Sequence, residues 1–277
     1  REILTEVPVK VFTGMALGSL AFGADEGIIY LRSEYKYLLP HINKHIEKFT
    51  KQILEPLGIK FKIYVFPGSG AYVCGEETAL IESMEGKRGE PRNKPPYPIQ
   101  NGYLGKPTVV NNVETLASSV IVMRIGTEAY KNLGTDDQRG SKLFSVSGDS
   151  PKEGVYEIEL GMSVADFVEE FGDGDTKAVQ VGGVSGFCIP RKNFHAAIIG
   201  EGNTTGGSTM VFNSSRSMYN VLHNFLEFYA EESCGQCTPC RVGCQQLLNG
   251  IEYVKKGEKP ENYLDQLIKL SKTMKIT

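Results

Sequence analysis

The chain has 277 residues, with Lys plus Arg at 30, Asp plus Glu at 33 and a formal net charge of −3. It is therefore too long for a disulfide-stapled mini-protein and has no basic excess with which to coat a phosphate backbone. A hydrophobic fraction of 40% supplies a sizeable core, and charges interrupt every long apolar stretch, so the expectation is a soluble globular chain with no membrane span. Four of the six cysteines crowd between Cys234 and Cys244 while Cys74 and Cys188 stand alone. That distribution suits metal in a reducing compartment rather than a disulfide framework. No secretory signal is legible at the N-terminus, and the expected location is cytoplasmic.

Residues 7–22 are apolar with small residues (Gly14, Ala16, Gly18, Ala21) that let a helix sit close on a sheet, and residues 27–32 then read as a buried strand. Ile42, Ile46, Phe49 and Ile53 recur at helical spacing, Gly58 marks the stop, and Phe61, Ile63 and Val65 alternate as in a strand. The order of helix, strand, helix and strand predicts a parallel α/β sheet. A Gly-rich turn, Pro67-Gly68-Ser69-Gly70-Ala71-Tyr72-Val73-Cys74-Gly75, then feeds a helix that opens on Glu76 and Glu77, and ligands commonly bind at such strand-to-helix turns. Residues 86–107, rich in Gly, Pro and Lys, cannot be regular helix or central strand.

From residue 142 the texture changes to short strands at 143–146, 155–160 and 178–181, with Ser163 as N-cap of a short helix through Phe171. This predicts a small α+β domain. Met218, Val221, Leu222, Phe225 and Tyr229 mark one helical face, and further helices are expected over 241–255 and 261–274. The predicted domains are 1–140, 141–205 and 206–277.

Among the motifs, Cys234-Gly235-Gln236-Cys237-Thr238-Pro239-Cys240 is the most specific, being two overlapping Cys-x-x-Cys steps between two helices. Three thiolates so close are expected to converge on one centre. Iron–sulfur clusters use this compact spacing, whereas structural zinc normally takes two separated Cys pairs; zinc and free buried thiols remain the alternatives. Cys244 completes a ferredoxin-like Cys-x2-Cys-x2-Cys-x3-Cys run, but Gln245 stands where Pro follows in that run, so it reads equally as a packed thiol.

Gly70-x4-Gly75 has the outline of a P-loop, yet Glu76 occupies the position where a triphosphatase needs Lys. Two carboxylates there repel a triphosphate and suit sugar hydroxyls instead, leaving a nucleotide or flavin role against an ordinary tight turn. Asn111 and Asn112 set adjacent amides beside an apolar run, able to read a heterocycle edge or simply to form a turn before a helix. His41 and His45 read as a solvated helix face rather than a metal pair. Asn203-x-Thr205 and Asn213-x-Ser215 match a glycosylation pattern without meaning in a cytoplasmic chain.

The Gly70–Leu80 run, Lys94-Pro95-Pro96-Tyr97-Pro98, Asn111-Asn112-Val113-Glu114-Thr115 and the Glu232–Arg241 run occur in the order found in one family. Together they resemble the flavoprotein NADH-binding subunit of respiratory complex I and its relatives in NAD(P)-linked hydrogenases and formate dehydrogenases. The resemblance implies an α/β FMN-binding domain, a β-grasp-like soluble-ligand-binding domain and a C-terminal helical bundle holding a [4Fe–4S] cluster. It implies that Gly75, Glu76, Glu77, Val110, Asn111, Asn112 and Thr115 line FMN. By the same resemblance Tyr72, Glu77, Lys94 and Tyr97 meet NAD(P)(H), and Cys234, Cys237 and Cys240 ligate the cluster. It also implies partner electron-transfer subunits, among them a thioredoxin-like [2Fe–2S] subunit, and a place on the cytoplasmic side of a complex without a membrane span or nucleic acid.

Two departures from the family pattern stand out. Its first Gly-rich FMN loop and an Asn-x-Asp segment are expected upstream of Arg1, and a fourth cluster ligand downstream of Thr277, which favours a fragment over Cys244 as substitute. The expected activity is NAD(P)H:acceptor oxidoreductase, with the redox chemistry borne by cofactors; the rival is a non-catalytic docking scaffold with a structural metal or cluster site.

Overall fold

The computed structural model describes residues 1–196, 198–199 and 206–276; the Asn203-x-Thr205 pattern lies outside them. In chain order the elements are α1 (Glu2–Glu6), α2 (Pro8–Phe22), β1 (Glu26–Leu31), α3 (Leu39–Phe49), β2 (Lys62–Pro67), α4 (Glu77–Met84), α5 (Val113–Ile125) and α6 (Thr127–Lys131). They continue with β3 (Ser141–Gly148), β4 (Gly154–Glu159), α7 (Val164–Phe171), β5 (Thr176–Val181), β6 (Phe187–Pro190), β7 (Ser208–Asn213), α8 (Met218–Glu232), α9 (Thr238–Lys255) and α10 (Tyr263–Ile276). The architecture is mixed α/β with a helical C-terminal region. Two compact units are formed, Arg1–Ile121 with Leu226–Thr277, and Val122–Phe225. The C-terminal helices thus share a unit with the N-terminal segment.

In the first unit β1 and β2 pair in parallel, with Ile29 opposite Val65, and α3 lies in the crossover between them as the alternating pattern requires. The helical stretch expected over 7–22 forms over Pro8–Phe22, with Val7 non-helical between it and α1 and Pro8 at the first helical position. Phe12, Leu31, Ile42 and Leu54 fill the core, where Phe12 meets Phe49 edge to face at 5.7 Å. Ile53 departs from the helical face predicted for it. A π-turn over Thr50–Leu54 widens the helix at that point, so Leu54 is buried and Ile53 is exposed. At Gly14 a side chain would overlap the Leu116 carbonyl, so this glycine sets how closely α2 approaches α5. Gly243 and Gly250 perform the same service in the α9–α10 hairpin, admitting Met274 and Leu267.

The second unit is a five-stranded sheet in the order β4-β3-β7-β5-β6. β3 and β7 are parallel, and the β3–β4, β5–β7 and β5–β6 pairs are antiparallel. α7 packs Val164, Phe167 and Phe171 onto Phe144, Val179 and Val211, and the Ser163 hydroxyl accepts the Asp166 N–H at 3.1 Å as its cap. β6 and β7 carry no clear alternation and were not legible in the sequence.

Candidate functional site

β2 delivers the chain into the Gly-rich turn, and Tyr30 on β1 fixes the height of that turn. Its ring stacks on Phe66 at 6.0 Å, its hydroxyl meets Ser83 Oγ on α4 at 3.0 Å, and a Cβ on Gly68 would stand 2.6 Å from the ring. A short 3₁₀ turn over Tyr72–Gly75 then leads to Glu76. The Glu76 carboxylate caps α4, with Oε2 accepting the Thr78 and Ala79 N–H groups at 2.9 Å each. Its other oxygen accepts from Lys94 Nζ at 3.0 Å, and Glu77 Oε1 accepts from the same ammonium at 2.6 Å. Burial pushes Glu76 up, but the Thr78 hydroxyl, the Ala79 N–H and Lys94 outweigh it and hold the carboxyl below its ordinary range. Lys94 is held above its ordinary value by Glu77 and then Glu76. At the helix start, then, two carboxylates share one cation within reach of solvent.

The irregular segment that carries Lys94 is strapped to α4 by Arg92. Its guanidinium binds Glu82, reaches Glu85 at 3.0 Å and donates to the Gly102 carbonyl at 3.2 Å, while the Arg92 N–H binds Thr78 Oγ1 at 2.9 Å. Tyr97 presents an exposed ring, its N–H donated to Gln100 at 3.1 Å. Gly75 is exposed, with open space where a side chain would project. Val110, Asn111 and Asn112 are irregular, and Asn112 Oδ1 accepts the Glu114 N–H at 3.2 Å as α5 begins. Asn111, Asn112 and Thr115 are exposed, while Val113 and Leu116 beside them pack on the first unit's core. Open backbone at Gly75, exposed amides, a carboxylate and a cation form a donor set that fits a flavin nucleotide and a nicotinamide nucleotide.

Tyr72 joins this turn to the Cys motif. Its ring meets Phe228 edge to face at 5.0 Å, and its N–H donates to Glu232 Oε2 at 3.0 Å. Arg88 donates to the carbonyl of Cys234. Cys237 and Cys240 are exposed, Cys234 is half-buried and Cys244 is buried one helical turn after Cys240, with 3.9 Å between the two sulfurs. Burial, then the neighbouring Cys240, pushes the Cys244 thiol up to about 11. Among the described residues no three His, Cys, Asp or Glu side chains group closely enough to hold a single metal ion. Soft, partly exposed thiols at a helix junction are a donor set whose chemistry suits an iron–sulfur cluster.

Two segments match known families: residues 1–120 match the Nuo51 FMN-binding domain and residues 220–277 the NADH-ubiquinone oxidoreductase-F iron-sulfur binding region. The NADH-quinone oxidoreductase F 2 protein of Rhizobium meliloti is 35% identical over 98% of this chain and 68% of its own length. The chain belongs to the NADH-quinone oxidoreductase F family. The alpha subunit of the NAD-reducing hydrogenase HoxS of Cupriavidus necator is 40% identical over 97% of this chain and 46% of its own. The crystal structure of an NAD+-reducing [NiFe]-hydrogenase in the H2-reduced state superposes with a TM-score of 0.89 at 42% identity, covering 97% of this chain and 47% of that one. The chain thus spans about half the length of these hydrogenase relatives. The matched segments contain the Gly-rich turn, Lys94, the Asn pair and the Cys motif. Arg88, Arg92 and Glu232 join the site from the structure; no spacing rule marks them, since their partners lie far along the chain. Among the described residues no helix is long and apolar enough to cross a membrane.

Proposed function

We propose that the chain is the nucleotide-oxidising, or nucleotide-reducing, electron-entry part of a multi-subunit NAD(P)H:acceptor oxidoreductase. Gly75, Glu76, Glu77, Val110, Asn111, Asn112 and Thr115 hold FMN, while Tyr72, Glu77, Lys94 and Tyr97 hold the nicotinamide nucleotide. Cys234, Cys237 and Cys240 hold a [4Fe–4S] cluster, and Cys244 is a packed thiol. When bound, the flavin exchanges a hydride with the nucleotide and single electrons with the cluster. The protein's part is orientation: Tyr72 and Tyr97 offer ring faces, Lys94 a point charge, and Glu76 holds the helix start on which these groups are mounted.

The observation that carries this reading is the latch of Tyr72 on Phe228 and Glu232, which holds the nucleotide-side turn directly against the approach to the Cys motif within one compact unit. The strand order of the second unit supports a β-grasp-like soluble-ligand-binding domain that starts near 141 and, with β7 (Ser208–Asn213) as its central strand, runs past the expected limit of 205; it lies in the chain between an FMN/NAD(P)(H) part at 1–140 and a cluster-bearing helical part. A thioredoxin-like [2Fe–2S] subunit is the proposed neighbour in the complex, on its cytoplasmic side. Glu77→Gln and Lys94→Ala test the assignment in NADH-driven ferricyanide reduction. Both are expected to raise KM for NADH by about tenfold with iron content unchanged; an unaltered KM in both contradicts it.

A further inference from the structure

Three consecutive carbonyls in the Cys loop are covered by arginines from opposite ends of the chain. Arg241, on α9, donates to the carbonyls of Gly235 and, at 3.1 Å, Gln236, and reaches Thr238 Oγ1 at 3.1 Å. Arg88, 146 residues earlier, donates to the carbonyl of Cys234. Arg241 is local to the motif and closes the loop on itself, whereas Arg88 anchors the first cysteine to the segment that follows α4. Gly235 makes room for that anchor. Its φ of +78° lies in the left-handed region, and a Cβ there would stand 3.2 Å from the Arg88 guanidinium, so a side chain would be both strained and crowded against it. Glu232, two residues before Cys234 in the chain, is occupied in accepting the Tyr72 N–H at 3.0 Å.

Resting on the cluster assignment above, we propose that Arg88 is a positioning residue of the iron–sulfur site, one that pins the Cys234 peptide and sets the reduction potential of the cluster by its permanent charge. Cluster potentials follow net charge, hydrogen bonding and exposure, and a guanidinium stays charged at every working pH. Removing it makes the reduced, more negative cluster harder to form. The cluster loop is then held by a residue that lies outside the Cys motif.

The test uses the intact chain in its complex, with Arg88→Gln and the charge-conserving Arg88→Lys. An EPR-monitored redox titration is expected to show the cluster midpoint shifted to more negative potential in Arg88→Gln and largely restored in Arg88→Lys, with iron and flavin per chain equal in all three proteins. In parallel, the chelator-stripped chain is treated with iodoacetamide and read by mass spectrometry; Arg88→Gln is expected to speed alkylation of Cys234 relative to Cys237 several-fold. Unchanged midpoints in both variants overturn the electrostatic role, and an unchanged Cys234 rate overturns the positioning role. A wild-type chain that takes up no iron on anaerobic reconstitution overturns the functional reading and the electrostatic role with it, leaving the alkylation ratio to decide the positioning role.

Discussion

Glu85 carries the strongest acidity shift among the carboxylates of the strap. Lys87 at 2.7 Å, the Leu104 N–H at 2.9 Å and Arg92 at 3.0 Å all favour its anion against the cost of burial and hold its carboxyl down to about 2. Because the folded value lies below the ordinary 4.5, its stabilisation is fully present above pH 4.5 and is lost as pH falls through about 2. The melting-temperature gap between wild type and Glu85→Gln is therefore expected to narrow as pH is lowered across that window; a gap constant with pH contradicts the ion-pair account. The cysteines give a second contrast. With Cys244 buried on α9, Cys244→Ala is expected to retain iron, whereas Cys237→Ala loses it, measured as iron per chain after anaerobic reconstitution. At this scale the sequence reads the residue types well, because Cys spacing and paired carboxylates carry chemistry of their own. The placement of Lys94 between Glu76 and Glu77 is a tertiary fact, and so is the grip of Arg88 on Cys234. Glu76, read as a ligand for sugar hydroxyls, turns out to commit one oxygen to capping α4.

Among the elements, those with a strong period were legible. The Ile42, Ile46 and Phe49 stripe, the Phe61 and Ile63 alternation and the Ser163 cap all reflect local physics that holds in the fold. Ile53 misleads because a π-turn rotates the buried face by one residue, and β6 and β7 escape because their pairing is decided by the neighbouring strands, β5 for both and β3 also for β7, rather than by their own pattern. Gly14 makes the clearest element-scale test. A methyl group there overlaps the Leu116 carbonyl, so Gly14→Ala must push α2 away from α5 and is expected to cost about 1–3 kcal/mol, the usual range for overpacking. Since α5 begins beside Asn111 and Asn112, flavin retention on gel filtration should fall together with the denaturation midpoint. Loss of stability without loss of flavin would separate α5 from the flavin site.

For the molecule as a whole, the sequence shows three textures in order, yet the structure makes two compact units by returning the C-terminal helices to the N-terminal segment. Nothing local in residues 226–277 announces that return, which is made by contacts such as Tyr72 with Phe228 and Arg88 with Cys234. It also bonds the Gly-rich turn and the Cys loop to one another, as the proposed electron-entry site requires. The most direct measurement is an anaerobic visible spectrum of the purified complex containing this chain, recorded before and after addition of NADH. Flavin and iron–sulfur absorption that bleaches on NADH addition is the predicted result. A preparation supplied with flavin and iron that stays colourless, or whose bands do not respond to NADH, would contradict the electron-entry account and favour a docking scaffold.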